Sequence, residues 1–167
     1  MPLRTRPQYI NKNSKQTLRQ GLEEYYTVNS DLTHPSTQPE DFAKILLAHD
    51  ASHVIYGCDT DMYDELKILA LTFWTSDFKF RDWVRERQNP AVSVMYADLL
   101  KRHGWFGLYS SIIFELLRLV PELISMWLKT RNHQRFVPFL DFELILDSSL
   151  LEIRQEFELL PFITRSW

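Results

Sequence analysis

The residues best suited to chemistry in this 167-residue chain fall within one short stretch, "HDASHVIYGCDTDMYDE" (49–65), which holds two histidines, five acidic residues and a glycine-cysteine break. His49 and His53 are four residues apart. On a helix that separation leaves two side chains about 40° apart in projection and roughly 6 Å along the axis, so two imidazoles can grip one cation. Their stripe also contains Phe42, Ile45, Leu46 and Tyr56, which turns both rings inward. Imidazoles in that position need hydrogen bonds or a cation to offset lost hydration. Asp50 lies about 100° further round, close enough to join the coordination sphere or to act on a bound water as a catalytic base. Glu65 falls past Gly57, in a second apolar stripe with Met62, Leu66, Leu69 and Phe73. If the two helices fold back as an antiparallel hairpin, that carboxylate meets the imidazoles. The bland alternative is a solvated turn between two ordinary helices. A second inward carboxylate opposite a buried histidine pair weighs against it, because burial without a cation would be costly. The expectation is a metal centre made from His49, Asp50, His53 and Glu65.

Two histidines and a carboxylate with an open position suit zinc, the first expectation. They also describe the facial triad of non-haem iron(II), and manganese or magnesium stay open. A rival chemistry is a zinc hydrolase of H-x-x-x-H type, with Asp50 as general base and Glu65 as third ligand, although aspartate is one methylene shorter than the usual glutamate there.

The elements that must position these groups read as helices, because apolar residues recur at three and four and no long stretch alternates. Ser14 is the expected cap of a first helix carrying Leu18, Leu22, Tyr25 and Tyr26, and "NSDLTHPSTQP" ends it. Thr37 and Glu40 have capping-box spacing, which predicts a second helix from about 38 to Tyr56, closed by Gly57. Asp59, Thr60 or Asp61 caps a third over 61–75. The connector "TSDFKFRDWVRERQNP" places Phe78, Phe80 and Trp83 beside Arg81, Arg85 and Arg87, either a mixed packing segment or an edge for lipid headgroups. Val92, Met95, Tyr96 and Leu99 mark a fourth helix ending at His103-Gly104, where His103 acts as a C-terminal cation or a surface residue. The run 105–129 is apolar nearly all round, but Glu115, Arg118, Glu122 and Pro121 argue against a membrane span. A buried central helix is the first expectation for it, and a lipid-facing wall the second. A last helix covers about 141–157. The fold expected is an all-α, single-domain bundle of about six helices over 14–160, with a basic arm (1–13) and a short tail (161–167).

Apolar residues at 45%, charged at 25% and aromatics at 14% are values of a globular chain able to bury a real core. A net charge of −3 gives no electrostatic footprint for nucleic acid, which is set aside as a partner. Cys58 is the single cysteine, so no internal disulfide forms and a reducing, cytoplasmic setting is expected. The arm carries Arg4, Arg6, Lys12, Lys15 and Arg19 with no acid before Glu23. Such an arm touches anionic lipid, serves as a targeting segment or, more commonly, is solvated.

With these residues in view, "HDASHVIYGCDTDMYDE" resembles the H-D-x-x-H-x11-E motif of the Coq4 family of ubiquinone-biosynthesis proteins, with His49, Asp50, His53 and Glu65 in the four motif positions. Gly57 falls where that family also has a glycine, "DELKILALTFW" is similar to the stretch after its glutamate, and "LEIRQEF" is a fainter echo. The resemblance spans about residues 42–74. It implies an all-helical, metal-binding protein, peripheral on a membrane surface (the matrix side of the mitochondrial inner membrane in a eukaryote). It also implies binding of a polyprenyl lipid or quinone precursor, a link to removal of the C1 carboxyl group, and a role in organising other quinone-biosynthesis proteins. A homo-oligomer is compatible with it, as is a non-catalytic lipid-binding scaffold.

Overall fold

Three of the helices begin on a hydrogen bond to a capping side chain that their own sequence supplies, and a fourth ends on a left-handed glycine. The computed structural model describes residues 6–79, 81 and 90–165, with side chains for all of these except 41, 90–99 and 101–103. Helix α1 (Leu18–Val28) starts from Thr17, whose side chain accepts from the Gln20 N–H while Gln20 accepts from the Thr17 N–H. Ser14, the cap expected from sequence, lies three residues too early, and its hydroxyl instead takes the Gln16 N–H at 3.4 Å. Helix α2 (Glu40–Tyr56) follows Pro39 without a side-chain cap. The Thr37–Glu40 capping box does not form, because Thr37 closes a 3-10 turn (Pro35–Thr37) and donates its hydroxyl to the His34 carbonyl. Gly57 ends α2 at φ 63°, in the left-handed region. A Cβ there would also stand 3.0 Å from the Ile10 carbonyl oxygen.

Helix α3 (Met62–Thr75) is capped by Asp61, whose carboxylate accepts from the Asp64 N–H. Helix α4 (Pro90–Thr130) carries both helices expected on either side of His103-Gly104, and Gly104 breaks it at φ 68°. The helix expected over 141–157 is shorter. A 3-10 turn (Phe142–Ile145) comes first, and Ser149 then starts α5 (Leu150–Glu156) with its own capping box to Glu152. The serine competes for backbone partners better than it continues a helix. The chain is all-α, with five α-helices among the described residues against the about six expected, and no strand occurs among those residues.

Helix α2 sits centrally, against α1, α3, α5 and the 3-10 turns on either side of α1. Gly21 lets α1 approach it closely, since a Cβ at that position would fall 2.5 Å from Val54 Cγ1. The ends of the chain join this core. Tyr9 and Ile10, inside the expected basic arm, are buried, as are Phe162 and Ile163 in the expected tail. Arg154 on α5 is fully buried and donates to the carbonyls of Tyr9, Asn11, Lys12, Val54 and Ile55 at 2.6–3.2 Å. It thereby clamps the N-terminal segment onto the C-terminal end of α2, where a cation also meets the negative end of the helix dipole. Phe78 is buried between Phe73 and Phe139. Phe80, Trp83, Arg85, Arg87 and the side chain of His103 lie outside the described residues.

The run 105–129 is not a buried central helix. Leu108, Leu119 and Met126 bury one narrow seam, while Phe106, Ile113, Leu117, Ile124 and Leu128 are exposed. The reason is that α4 packs principally against α3 alone. Among the described residues no helix is long and apolar enough to cross a membrane.

Candidate metal centre

The hairpin of α2 and α3 brings three of the four expected residues to one point. His49 and His53 project from the last two turns of α2, and Glu65 from the first turn of α3. Their ligand atoms lie within 4.8 Å of one another. His53 Nε2 is 3.2 Å from His49 Nε2 and 3.2 Å from Glu65 Oε1, and His49 Nε2 is 3.4 Å from Glu65 Oε2.

The second contact of His53 fixes its chemistry. Its Nδ1 lies 3.0 Å from the Asp59 carbonyl oxygen. A carbonyl only accepts, so Nδ1 carries a proton, and Nε2 is the ring atom turned to the cluster, free to donate to Glu65 when protonated and to offer a lone pair to a cation when not. That is the orientation a metal-binding histidine needs, with a backbone carbonyl as its outer partner. Three electron-pair donors this close repel unless a positive charge stands among them, whether a proton on His49 or a metal ion.

Asp59 is itself held from behind. Its N–H donates to the Asp64 carboxylate at 2.6 Å, and Asp64, buried, also takes Arg165 Nη1 at 2.9 Å. The turn between the helices is thus a chain of hydrogen bonds from Arg165 to the ring of His53. Tyr25 packs its ring 5.3 Å from that of His53 and closes the inner side.

Burial is uneven across the cluster. The His53 side chain is 0% exposed, while His49 and Glu65 are 43% and 35% exposed, so one side opens to solvent. Burial alone would raise the Glu65 pKa, but hydrogen bonds and charge from His49 and His53 override it and hold the carboxyl well below the usual range. Burial works to lower the His49 pKa, and the hydrogen bond and charge of Glu65, with the charge of Asp50, leave it raised. The pair is therefore a carboxylate facing a ring that keeps its proton readily.

Asp50 stands apart from this group. It is buried, and its Oδ2 accepts the Tyr26 hydroxyl at 2.6 Å. Burial raises its pKa against the opposing effects of Tyr26, His49 and His53. The tyrosine that holds it, and the Asp59 carbonyl that holds His53, are parts of the site that sequence reasoning missed. The adjacent tyrosines of "EEYYTV" were a signal for the first. The second was invisible, since a backbone carbonyl carries no residue type.

Cys58, two residues beyond α2, is buried, burial pushes its thiol far above the ordinary value, and it is not among the groups that converge with His49, His53 and Glu65. The three converging groups could hold a metal ion, with room for a further ligand on the open side. Comparison of the chain with protein-family models, with curated proteins and with solved structures found no match in any of the three.

Proposed function

We propose that this chain is a Coq4-like protein of ubiquinone-type biosynthesis that binds one divalent metal through His49, His53 and Glu65 and presents it to a polyprenylated ring precursor. The observation that carries the reading is the convergence of these three side chains around one point, with the His53 ring held by the Asp59 carbonyl so that Nε2 faces the cluster. Two neutral imidazoles and one carboxylate leave a divalent ion with net positive charge and free positions, which suits zinc first and iron(II), manganese or magnesium next. Such an ion supplies Lewis-acid polarisation of a ring oxygen, a carboxylate or a prenyl phosphate.

The chain's own residues would do the rest. Leu69, one turn beyond Glu65, is 44% exposed, and Ile45 and Leu46, one turn before His49, are half-buried. They give the open side an apolar border along which an isoprenoid tail could lie. On this reading the lipid is drawn from a membrane surface, and the chemistry served is removal of the C1 carboxyl group within an assembly of quinone-biosynthesis proteins.

A second reading, a lipid-binding scaffold without turnover, is favoured by Asp50. Its carboxylate is buried and engaged by Tyr26, which takes away the free base that a hydrolase of H-x-x-x-H type requires. Metal analysis and solvent extraction of one purified sample test both readings. The expected result is stoichiometric metal and a co-purified prenyl lipid, with the metal lost in His53→Ala and Glu65→Gln. Lipid retained unchanged in those variants, with no turnover of a prenylated hydroxybenzoate under dioxygen, supports the scaffold. Absence of metal after loading with each of the four ions ends the metal reading.

A further inference from the structure

The outer face of α4 repeats its apolar residues with the spacing of a coiled coil. Starting at Phe106, the positions 110, 113, 117, 120, 124 and 127 follow in alternating steps of four and three, and every one except Ser110 is a large apolar residue. All of them are solvent-exposed, the apolar ones from 39% at Val120 to 80% at Phe106. This seam is separate from the one formed by Leu108, Leu119 and Met126, which packs on the chain's own core.

A helix with a 3.5-residue apolar repeat keeps one line of side chains facing a second helix along its length. We infer that the occupant is α4 of a second copy of this chain, antiparallel, in a two-fold dimer. Pairing residues whose numbers sum to one value, as a two-fold axis between Leu117 and Val120 requires, sets Leu117 against Val120, Ile113 against Ile124 and Ser110 against Trp127. The smallest residue of the seam then faces the largest, and the aliphatic layers match. In the same register the partner's Phe106 meets the end of the helix where the Arg131 guanidinium already stacks 5.3 Å from the Trp127 ring. A parallel pair would instead stack tryptophan on tryptophan, serine on serine and arginine on arginine, with the two helix dipoles aligned.

Charge and area point the same way. The positions flanking the seam are Gly107, Phe114, Pro121 and Leu128 on one side and Tyr109, Leu116, Leu123 and Thr130 on the other, with no ionisable acid or base among them but the tyrosine. A helix lying in an anionic bilayer surface carries lysines or arginines along that border, whereas an uncharged border suits an equally uncharged partner. The exposed side chains present on the order of 800 Å² per copy, the size of a standard protein–protein interface.

The test is the mass of the full chain in detergent-free buffer, by sedimentation equilibrium over a dilution series. The wild type is expected at twice its 20.0 kDa chain mass. Leu117→Glu/Ile124→Glu is expected at one chain mass with an unchanged far-ultraviolet circular dichroism spectrum, because both residues are exposed in the single chain. Should the glutamates disturb folding, Leu117→Ser/Ile124→Ser gives the same readout more gently. For the direction of pairing, oxidation of a mixture of Ile113→Cys and Ile124→Cys chains is expected to cross-link the two kinds to each other. A wild type that stays at one chain mass at tens of micromolar overturns the inference, as does a dimer unmoved by either double variant. Cross-linking of Ile113→Cys to itself would overturn the antiparallel arrangement. Flotation of a single-chain species with mixed neutral and anionic phospholipid vesicles would assign the face to lipid and end the dimer.

Discussion

Helices α2 and α4 are both rich in apolar residues, yet α2 is enclosed by α1, α3, α5 and the N-terminal segment, whereas the outer half of α4 leans on α3 and leaves its far side open. The difference is in the neighbours and in how each end is held. The C-terminal end of α2 receives Arg154, the Gly57 turn and the Asp59–Asp64–Arg165 chain, all of them local devices that fix where its last two turns point. The outer half of α4 ends in surface side chains. Its polar ties, Lys67 to Glu122 at 2.6 Å and Tyr63 to Glu122 at 2.5 Å, fasten its inner side to α3. The region where His49, His53 and Glu65 converge in a small volume is pinned on several sides, while the region whose apolar side chains stay exposed is pinned on one.

The strongest way to break that contrast is to remove the pin. Arg154→Met deletes the donor for five backbone carbonyls in a place water does not reach, and an expected loss of about 4 kcal/mol follows, far above the ~1 kcal/mol of an ordinary substitution. Urea unfolding measures it. A loss no larger than that of an exposed arginine, for example Arg118→Met, would show that α2 does not depend on the clamp.

Next in size is a matched pair of truncations. Leu71 on α3 is 0% exposed and Leu128 on α4 is 54% exposed. Leu71→Ala should cost about 2–5 kcal/mol through lost burial and a cavity. Leu128→Ala, measured on dilute single chains, should change stability by less than about 0.5 kcal/mol. Equal costs would mean that the far side of α4 is covered within the chain.

The two histidines sharpen the comparison inside the site. His53→Ala removes a fully buried ring and leaves the Asp59 carbonyl without its donor, so it should lose both metal and roughly 1–3 kcal/mol of stability. His49→Ala removes a ring open to solvent on one side and should lose metal at little cost to the fold. Isothermal titration with zinc and thermal melts of the metal-free variants separate the two quantities. A His49→Ala melt as damaged as that of His53→Ala would contradict the uneven burial.

How far the sequence reached follows the same division. The hairpin and the convergence of His49, His53 and Glu65 are legible because i, i+4 histidines, a left-handed glycine and a capping aspartate are local signals, and local signals survive into the fold. The caps of α1 and α2 were misplaced by a few residues because several serines and threonines compete there, and only tertiary contacts choose Thr17 over Ser14. The helix 105–129 was read as core because its composition is that of a core. Composition measures the tendency to be buried, not the presence of a neighbour, and the structure leaves Phe106, Ile113, Leu117, Ile124 and Leu128 exposed. Asp50 joins the expected set by helical angle and by the second position of the H-D-x-x-H-x11-E pattern, and neither signal shows that Tyr26 on α1 engages its carboxylate. Nothing local to Arg154 announces that five carbonyls converge on it.

The smallest expected effect is a dependence on pH that the α2–α3 centre should have and the α4 face should lack. With its folded pKa raised above the ordinary 6.5, His49 is charged in both folded and unfolded chains at low pH, and its attraction to Glu65 is then fully present. As pH rises through the folded value the ring loses its proton, and that contribution to stability disappears. The metal-free protein should therefore melt slightly lower at about pH 8 than at about pH 6 from this group, while metal ions, which need the neutral ring, should raise the melting temperature more at the higher pH. Scanning calorimetry with and without zinc across that window reads both slopes. Glu65→Gln should flatten them, and Leu128→Ala should leave them as in the wild type. A zinc-induced shift that stays constant from about pH 6 to about pH 8 would mean that no proton leaves His49 when the ion binds, and the ion would then have to sit elsewhere.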